Sequence, residues 1–534
     1  ATRQHAIFTN FFDMITPGQR KNAGIMPSGR NNVNNSCLVA PRPARKNFTE
    51  LAVVIQIVNV CAFRDNSRMS YLSPEFIAAF LPFFALYWSL RRRLDLQNHL
   101  LLAASYALVA TYSLLFALEL LLYSAFIYLA ARHIQYYRSK RALKIAIAVA
   151  IGHLCLMKYL DFFRVHSQSL LDALGISWQL PAVEILLPVG ISYYTFHSIT
   201  YLVAAYRVQI TVEKPERICL FLAFFPTLIA GPICRASEML PQYAATAPRA
   251  VGDSGRIFIL LISALVKILW LAAWLEENWV TPILGNPEQY LPAEVLAALY
   301  AYTLQIYFNF SGYTDLVTAI ALLLGIRIPV NFNQPYAATN LRDFWHRWHI
   351  SLSTWIRDYL YIPLGGSRRG LLRTQINVAI AMLLSGLWHG PSVNYLVWGA
   401  MHAGGLILLN LGDRLMGKNA VTTLSPALAR YGTMHYIVLT WAVFYNNDAD
   451  NTRAIFRALG GNINLHASAA TLALIITFNL LIHLYPRSAG WQEHAAARWS
   501  RLNWYTQALL FTAALLIITA CAPAGIPDIL YSNY

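Results

Sequence analysis

The chain has 534 residues, of which 57% are hydrophobic and only 12% charged, with a formal net charge of +16. A soluble globular chain carries about 25% charged residues, so much of this molecule must face something other than water. That excludes an ordinary soluble domain. It also removes nucleic acid as the meaning of the positive charge, because the basic residues stand in short loops beside apolar runs, the pattern of membrane topology.

In chain order, Ala1–Arg68 is polar and rich in Asn, Arg and Pro, with nine Lys/Arg against three Asp/Glu and one apolar stretch, Leu51–Phe63. The stretch is short for a membrane span, which needs about 20 apolar residues, and no small-residue cleavage site marks it as a signal peptide. Residues 1–68 read as a disordered or upstream extension, or as a basic arm for anionic lipid headgroups. Residues 69–534 read as the membrane-embedded working domain. Its apolar runs are Phe76–Leu90, Leu100–Ala131, Ile145–Leu160, Ile185–Tyr206, Ile218–Ile233, Ile257–Leu275, Ala293–Ile326, Ile376–Trp388, Leu396–Leu411, Tyr436–Phe444, Ala469–Leu484 and Ala508–Ala520. Leu100–Ala131 and Ala293–Ile326 are each long enough for two tight segments. The pattern predicts an all-α polytopic membrane protein with roughly 10–13 membrane segments, some short, tilted or re-entrant. A β-barrel is excluded, because its strands alternate polar and apolar residues. With Leu100–Ala131 as a hairpin, Arg91–Arg93, Arg132–Lys144 and Arg207–Arg217 fall on one side, and the segment near Tyr71 begins outside.

The six cysteines (Cys37, Cys61, Cys155, Cys219, Cys234 and Cys521) form no CxxC pair. Most lie in apolar runs, where cysteine acts as a small hydrophobe, so neither a disulfide scaffold nor a structural zinc site is expected.

Ionisable residues inside apolar segments are costly and point to function. Three clusters qualify. Asn309–Asp315 places polar residues in a long apolar run, and Asp315 either pairs with an arginine or binds substrate. Leu341–Gly370 holds His346, His349, five Arg and three Trp. At helical spacing Trp345, Trp348, Leu352, Trp355 and Tyr359 form one stripe, with Arg342, His346 and His349 towards another face. This predicts an interfacial helix, ended by Pro363 and Gly365-Gly366. Its guanidinium groups suit a phosphate-bearing donor. The third cluster, Leu384–Pro391, sets His389 at the end of an apolar run beside Trp388, with Gly386 and Gly390 on either side where backbones can approach closely. Imidazole accepts and returns a proton near neutral pH, although a lone buried histidine is more often a hydrogen-bonded core residue. Here His349 stands only forty residues earlier, so two histidines are placed to meet at membrane depth. Gly252-Asp253-Ser254 reads as a coincidental match to a serine-esterase motif. His346-x-x-His349 has metal-ligand spacing but no completing ligand, so no metal is expected.

These blocks resemble the membrane-bound O-acyltransferase (MBOAT) family, in its bacterial branch of alginate O-acetylation proteins and peptidoglycan O-acetyltransferases. The matching blocks are Leu187–Phe196, Phe225-Pro226 through Ala230-Gly231-Pro232, Asn331–Tyr336 running into Trp345–Gly366, and Ser385–Gly390. The resemblance runs from about Met69 to at least Asn447. It implies short central helices around a tunnel, a thioester donor from the cytoplasm (acetyl-CoA, with no tightly bound cofactor) and an acceptor reached from outside. On this resemblance His389 is the base and His349 orients the donor or stabilises developing charge. Trp345, Trp348, Arg357, Asp358, Asp315 and Trp388 are candidates for substrate binding. An extracytoplasmic SGNH-type esterase-fold partner would receive the acyl group, in the inner membrane of a bacterium. Ala205 and His197 depart from the acidic residue and glutamine common in relatives, and His346 is an additional histidine. D-alanyl transfer to teichoic acid and a transporter or scramblase are the competing readings. No internal repeat supports the last.

Overall fold

The computed structural model describes residues 70–181, 187–212, 214–415, 425–461, 467–488 and 490–523. The expected extension 1–68, with Cys37 and Cys61, lies outside them. Among the described residues every regular element is helical.

The chain begins with α1 (Pro74–Ser89), α2 (Leu94–Tyr112), α3 (Leu114–Tyr137) and α4 (Lys140–Ala173). The anticipated hairpin in the first long apolar run turns at Ser113, whose extended backbone ends α2 and whose hydroxyl accepts from the Leu115 amide to start α3. Serine suits this place because its side chain competes for backbone donors and caps helices. Next come α5 (Ile191–Tyr206), α6 (Pro215–Ala223) and α7 (Ala236–Tyr243). They are followed by the long α8 (Ser254–Leu284), whose second half is largely π-helical, and by α9 (Pro292–Leu323). The second long apolar run, which sequence length allowed to be two segments, is thus one unbroken helix. Nothing inside it breaks the hydrogen-bond ladder, since its Pro292 sits at the permissive first position.

After α9 the chain forms α10 (Leu341–Arg347) and α11 (Ile350–Ile356), then α12 (Leu371–His389), α13 (Val393–Leu415) and α14 (Pro426–Phe444). It ends with α15 (Ala449–Leu459), α16 (Ala469–Leu484), α17 (Trp491–Trp499) and α18 (Trp504–Cys521). Among the described residues, seven helices are long and apolar enough to cross a membrane: α3, α4, α8, α9, α12, α13 and α18. The sequence count of roughly 10–13 also took in shorter pieces such as α16, which is apolar but has only 16 residues.

Burial separates helices that face lipid from those that build the interior. In α9, 67% of the apolar window is buried, against 11% in α18. Helix α5 is buried along almost its whole length. Together α5 and α9 contribute to both large hydrophobic cores, one built mainly from α1–α7 and the other from α9–α16. Exposed leucines on α3, such as Leu114, Leu115 and Leu122, mark an outer face suited to acyl chains. The closest helix crossing is α12 on α13. A Cβ on Gly386 would stand 2.1 Å from the Tyr395 carbonyl oxygen, and one on Gly399 would stand 2.5 Å from that of Met382. Two glycines therefore let these backbones touch, and they set the depth at which α12 delivers its last residue, His389.

Candidate active site

The single interfacial helix expected across Trp345–Tyr359 is instead two short helices broken at Trp348-His349. His349 sits at the break in a left-handed conformation, φ 42° and ψ 54°, which costs a non-glycine residue roughly 1–3 kcal/mol. The cause is Asn331. Its backbone carbonyl accepts from the Ile350 amide at 2.9 Å, and its side-chain oxygen accepts from the Ser351 amide (3.2 Å) and hydroxyl (2.8 Å). The same Oδ1 lies 3.1 Å from His349 Nδ1. Because the Ser351 amide can only donate, that atom must be the oxygen, so Nδ1 carries the proton and the neutral ring keeps its lone pair on Nε2. Burial pushes His349 down to about 3, which keeps it neutral. The predicted apolar stripe survives the break, with Trp348, Leu352 and Trp355 buried and Trp345 and Tyr359 packed against the same core; the predicted polar face does not, because His349 is buried while His346, three residues earlier, is exposed.

His389 is the last residue of α12 and is 3% exposed. Its ring is surrounded by those of Trp388 (centroids 5.0 Å), Phe444 (5.0 Å) and Trp398 (5.2 Å). Trp388 is also 5.9 Å from His349, so one indole contacts both histidines. The fold therefore brings together three residues singled out from sequence: His349, Trp388 and His389. An imidazole at the end of a helix, in an aromatic enclosure, is shielded from bulk water and can exchange a proton with a group that reaches it.

A column of stacked rings leads away from this centre. Trp388 stacks on Phe196 (5.6 Å), Phe196 on Trp355 (3.9 Å, interplanar angle 5°) and Trp355 on Tyr359 (5.3 Å). The Arg235 guanidinium covers Tyr359 at 5.0 Å and donates to Thr354 Oγ1 (3.2 Å) and Asp358 Oδ2 (3.3 Å). Asp358 also accepts from the exposed Arg357 at 2.7 Å. Arg357 and Asp358 thus lie at the far end of the column from the histidines, beside Arg235, which the sequence reading did not single out.

The remaining candidates sit elsewhere. Trp345 contacts Trp398 and His402 (5.8 and 5.1 Å), behind the enclosure of His389. Trp348 packs among Phe332, Phe344 and Trp441. Asp315 forms an ion pair with Lys267 at 2.7 Å and accepts from Ser263 at 2.9 Å, so its partner is a lysine rather than an arginine. Asp253 of the Gly-Asp-Ser match accepts from the Arg256 amide and caps α8. His197 accepts from the Cys234 amide through Nε2. The residues missed are Asn331, Lys158, Arg235 and His402. Lys158 had a signal, being a charge inside an apolar run. His402 is fully buried, and neither ring nitrogen has a hydrogen-bond partner among the described residues.

Comparison with known proteins gives the family. The family model described as MBOAT, membrane-bound O-acyltransferase family, matches residues 134–440, which contain both histidines. The chain is 34% identical over 398 residues to the "Probable alginate O-acetylase AlgI" of Pseudomonas aeruginosa, covering 73% of this chain and 74% of that protein. It is 29% identical over 455 residues to a peptidoglycan O-acetyltransferase of Helicobacter pylori, covering 78% and 82%. A teichoic acid D-alanyltransferase of Bacillus subtilis is more distant, 27% identical over 48% of this chain and 68% of its own length. On the extent of these matches, together with seven helices fit to cross a bilayer among the described residues, this chain belongs to the membrane-bound O-acyltransferase family and is a multi-pass membrane acyltransferase.

Proposed function

We propose that this chain takes an acetyl group from acetyl-CoA at the cytoplasmic side of a bacterial inner membrane and passes it outward for O-acetylation of a cell-envelope polysaccharide of the alginate or peptidoglycan type. The observation that carries this reading is the contact of His349 and His389 with one buried indole, Trp388, in a chain whose extensive relatives are named for O-acetylation.

In the proposed reaction His389 accepts the proton of an acceptor hydroxyl as its oxygen attacks the thioester carbonyl. The new C–O bond forms, the C–S bond breaks, and the imidazolium returns the proton to the departing thiolate. Such base catalysis is worth about 10²- to 10⁴-fold. His349, with its Nδ1 proton committed to Asn331, offers a lone pair that orients a hydrogen-bond donor of the substrate. The basic cluster of Arg235 and Arg357 suits the donor's phosphates, and the ring column links it to the histidines. This reading requires that cluster to open to the cytoplasm, where the donor is made. An extracytoplasmic SGNH-type esterase-fold partner receives the acetyl group and modifies the glycan.

The test is acetyl transfer in proteoliposomes holding this protein, with radiolabelled acetyl-CoA outside and the partner with its glycan inside. The reading predicts label on partner or glycan when all components are present. Transfer only from a D-alanyl-carrying protein would replace it with the teichoic acid reading.

A further inference from the structure

Two consecutive side chains of α4 reach the end of α12. Lys158 Nζ donates to the Trp388 carbonyl at 2.6 Å, and the Tyr159 hydroxyl donates to the Leu387 carbonyl at 2.7 Å. These two carbonyls belong to the residues immediately before His389, where a helix runs out of intrahelical donors; the Leu387 carbonyl also accepts from the Gly390 amide at 3.2 Å. Lys158 also donates to Ser192 Oγ at 3.3 Å, at the start of α5. Its ammonium lies 5.8 Å from the centroid of the Trp388 ring. The residue that contacts both histidines is therefore held by its carbonyl and by its face.

The chemistry of this contact is costly unless it serves a purpose. Lys158 is 8% exposed and belongs to a helix fit to cross the membrane. None of these contacts is an acid, nor is the Tyr159 ring, whose centroid lies 5.9 Å away. An unpaired ammonium at such a place is expensive and by default functional. The negative end of the α12 dipole offsets part of the cost. A cavity of about 20 Å³ bounded by Lys158, Ser192, Tyr193 and Trp388 adjoins the ammonium, room for about one water molecule.

We propose that Lys158 and Tyr159 are positioning residues for acyl transfer: together they clamp the carboxy-terminal end of α12 and hold the Trp388–His389 pair in register with His349. The inference rests on the reading of His389 as the base. A side chain held about 1 Å out of place costs on the order of 10²-fold in rate, so the clamp acts on turnover rather than on donor binding.

The experiment measures kcat and donor KM for acetyl-CoA, with the melting midpoint of the purified protein, in Lys158→Met, Lys158→Arg, Tyr159→Phe and the Lys158→Met/Tyr159→Phe double variant. His389→Ala serves as the reference. Tyr159→Phe removes one oxygen atom and keeps the aromatic ring. The clamp predicts at least tenfold lower kcat in Lys158→Met and Tyr159→Phe, with KM within twofold and unchanged melting. It further predicts partial recovery in Lys158→Arg and a double variant less impaired than the product of the singles, because both act on one helix end. Wild-type kcat in Tyr159→Phe and Lys158→Met, or a loss that only follows lower melting, overturns the clamp. Full activity in His389→Ala would instead overturn the reading on which the clamp rests.

Discussion

Asn331 and His349 are joined through one oxygen: Asn331 Oδ1 stands 3.1 Å from His349 Nδ1 while also accepting from the Ser351 amide and hydroxyl. That atom sets the tautomer of the histidine, breaks α10 from α11 and starts α11. Asn331→Leu leaves these buried donors without it, at about 1–3 kcal/mol for each buried group left unsatisfied. The expected result is a lower melting midpoint in detergent and loss of transfer. Asn331→Asp keeps the acceptor and retains more folded protein than Asn331→Leu. Equal melting of Asn331→Leu and wild type would sink this role.

The crossing of α12 on α13 depends on Gly386. A methyl group there meets the Tyr395 carbonyl at 2.1 Å, and overpacking of this kind costs about 1–3 kcal/mol. Gly386→Ala should lower both the melting midpoint and turnover, because it pushes away the helix that carries His389. Gly404→Ala on α13, where a Cβ meets nothing within 4 Å, should be neutral or stabilising by up to about 1 kcal/mol. Melting curves of the two variants decide the matter, and equal effects would contradict the packing account.

Asp315 and Lys267 are both mostly buried, with side-chain exposures of 15% and 14%. Breaking a buried pair from one side costs about 3–5 kcal/mol, whereas replacing both partners is often tolerated. Lys267→Met should therefore destabilise strongly, and Lys267→Met/Asp315→Leu should recover stability together with activity. A stable but inactive double variant would assign Asp315 to substrate instead.

Arg235 and Arg357 are expected to act on the donor. Arg235→Gln and Arg357→Gln should raise the KM for acetyl-CoA about tenfold or more, with a smaller change in kcat. Acetyl-pantetheine, which carries no phosphate for guanidinium recognition, should be much less affected. Parallel losses with both donors would remove these arginines from donor binding.

The membrane class, the helical hairpin at Ser113 and the meeting of His349 with His389 were legible because apolar run length and stray polarity leave local marks. The break at His349 was not. Helical spacing from Trp345 to Tyr359 is regular, and the interruption comes from Asn331, a residue distant in sequence whose side chain replaces a turn of helix. The run Ala293–Ile326 was ambiguous because length alone does not distinguish one tilted or deeply buried helix from two short ones. Arg235 and Tyr159 carry no local signal, since their roles depend on which helix ends the fold places beside them. Lys158 did carry one, a single charge in an apolar run, and polarity within the membrane was the right criterion for finding it.

The most direct test of the account is the rate of acetyl transfer from acetyl-CoA by purified wild type and His389→Ala, compared at equal amounts of folded protein. The account predicts a loss of about 10²- to 10⁴-fold in kcat for His389→Ala, with its melting midpoint preserved. Transfer at the wild-type rate in that variant would contradict the assignment of His389 as the base.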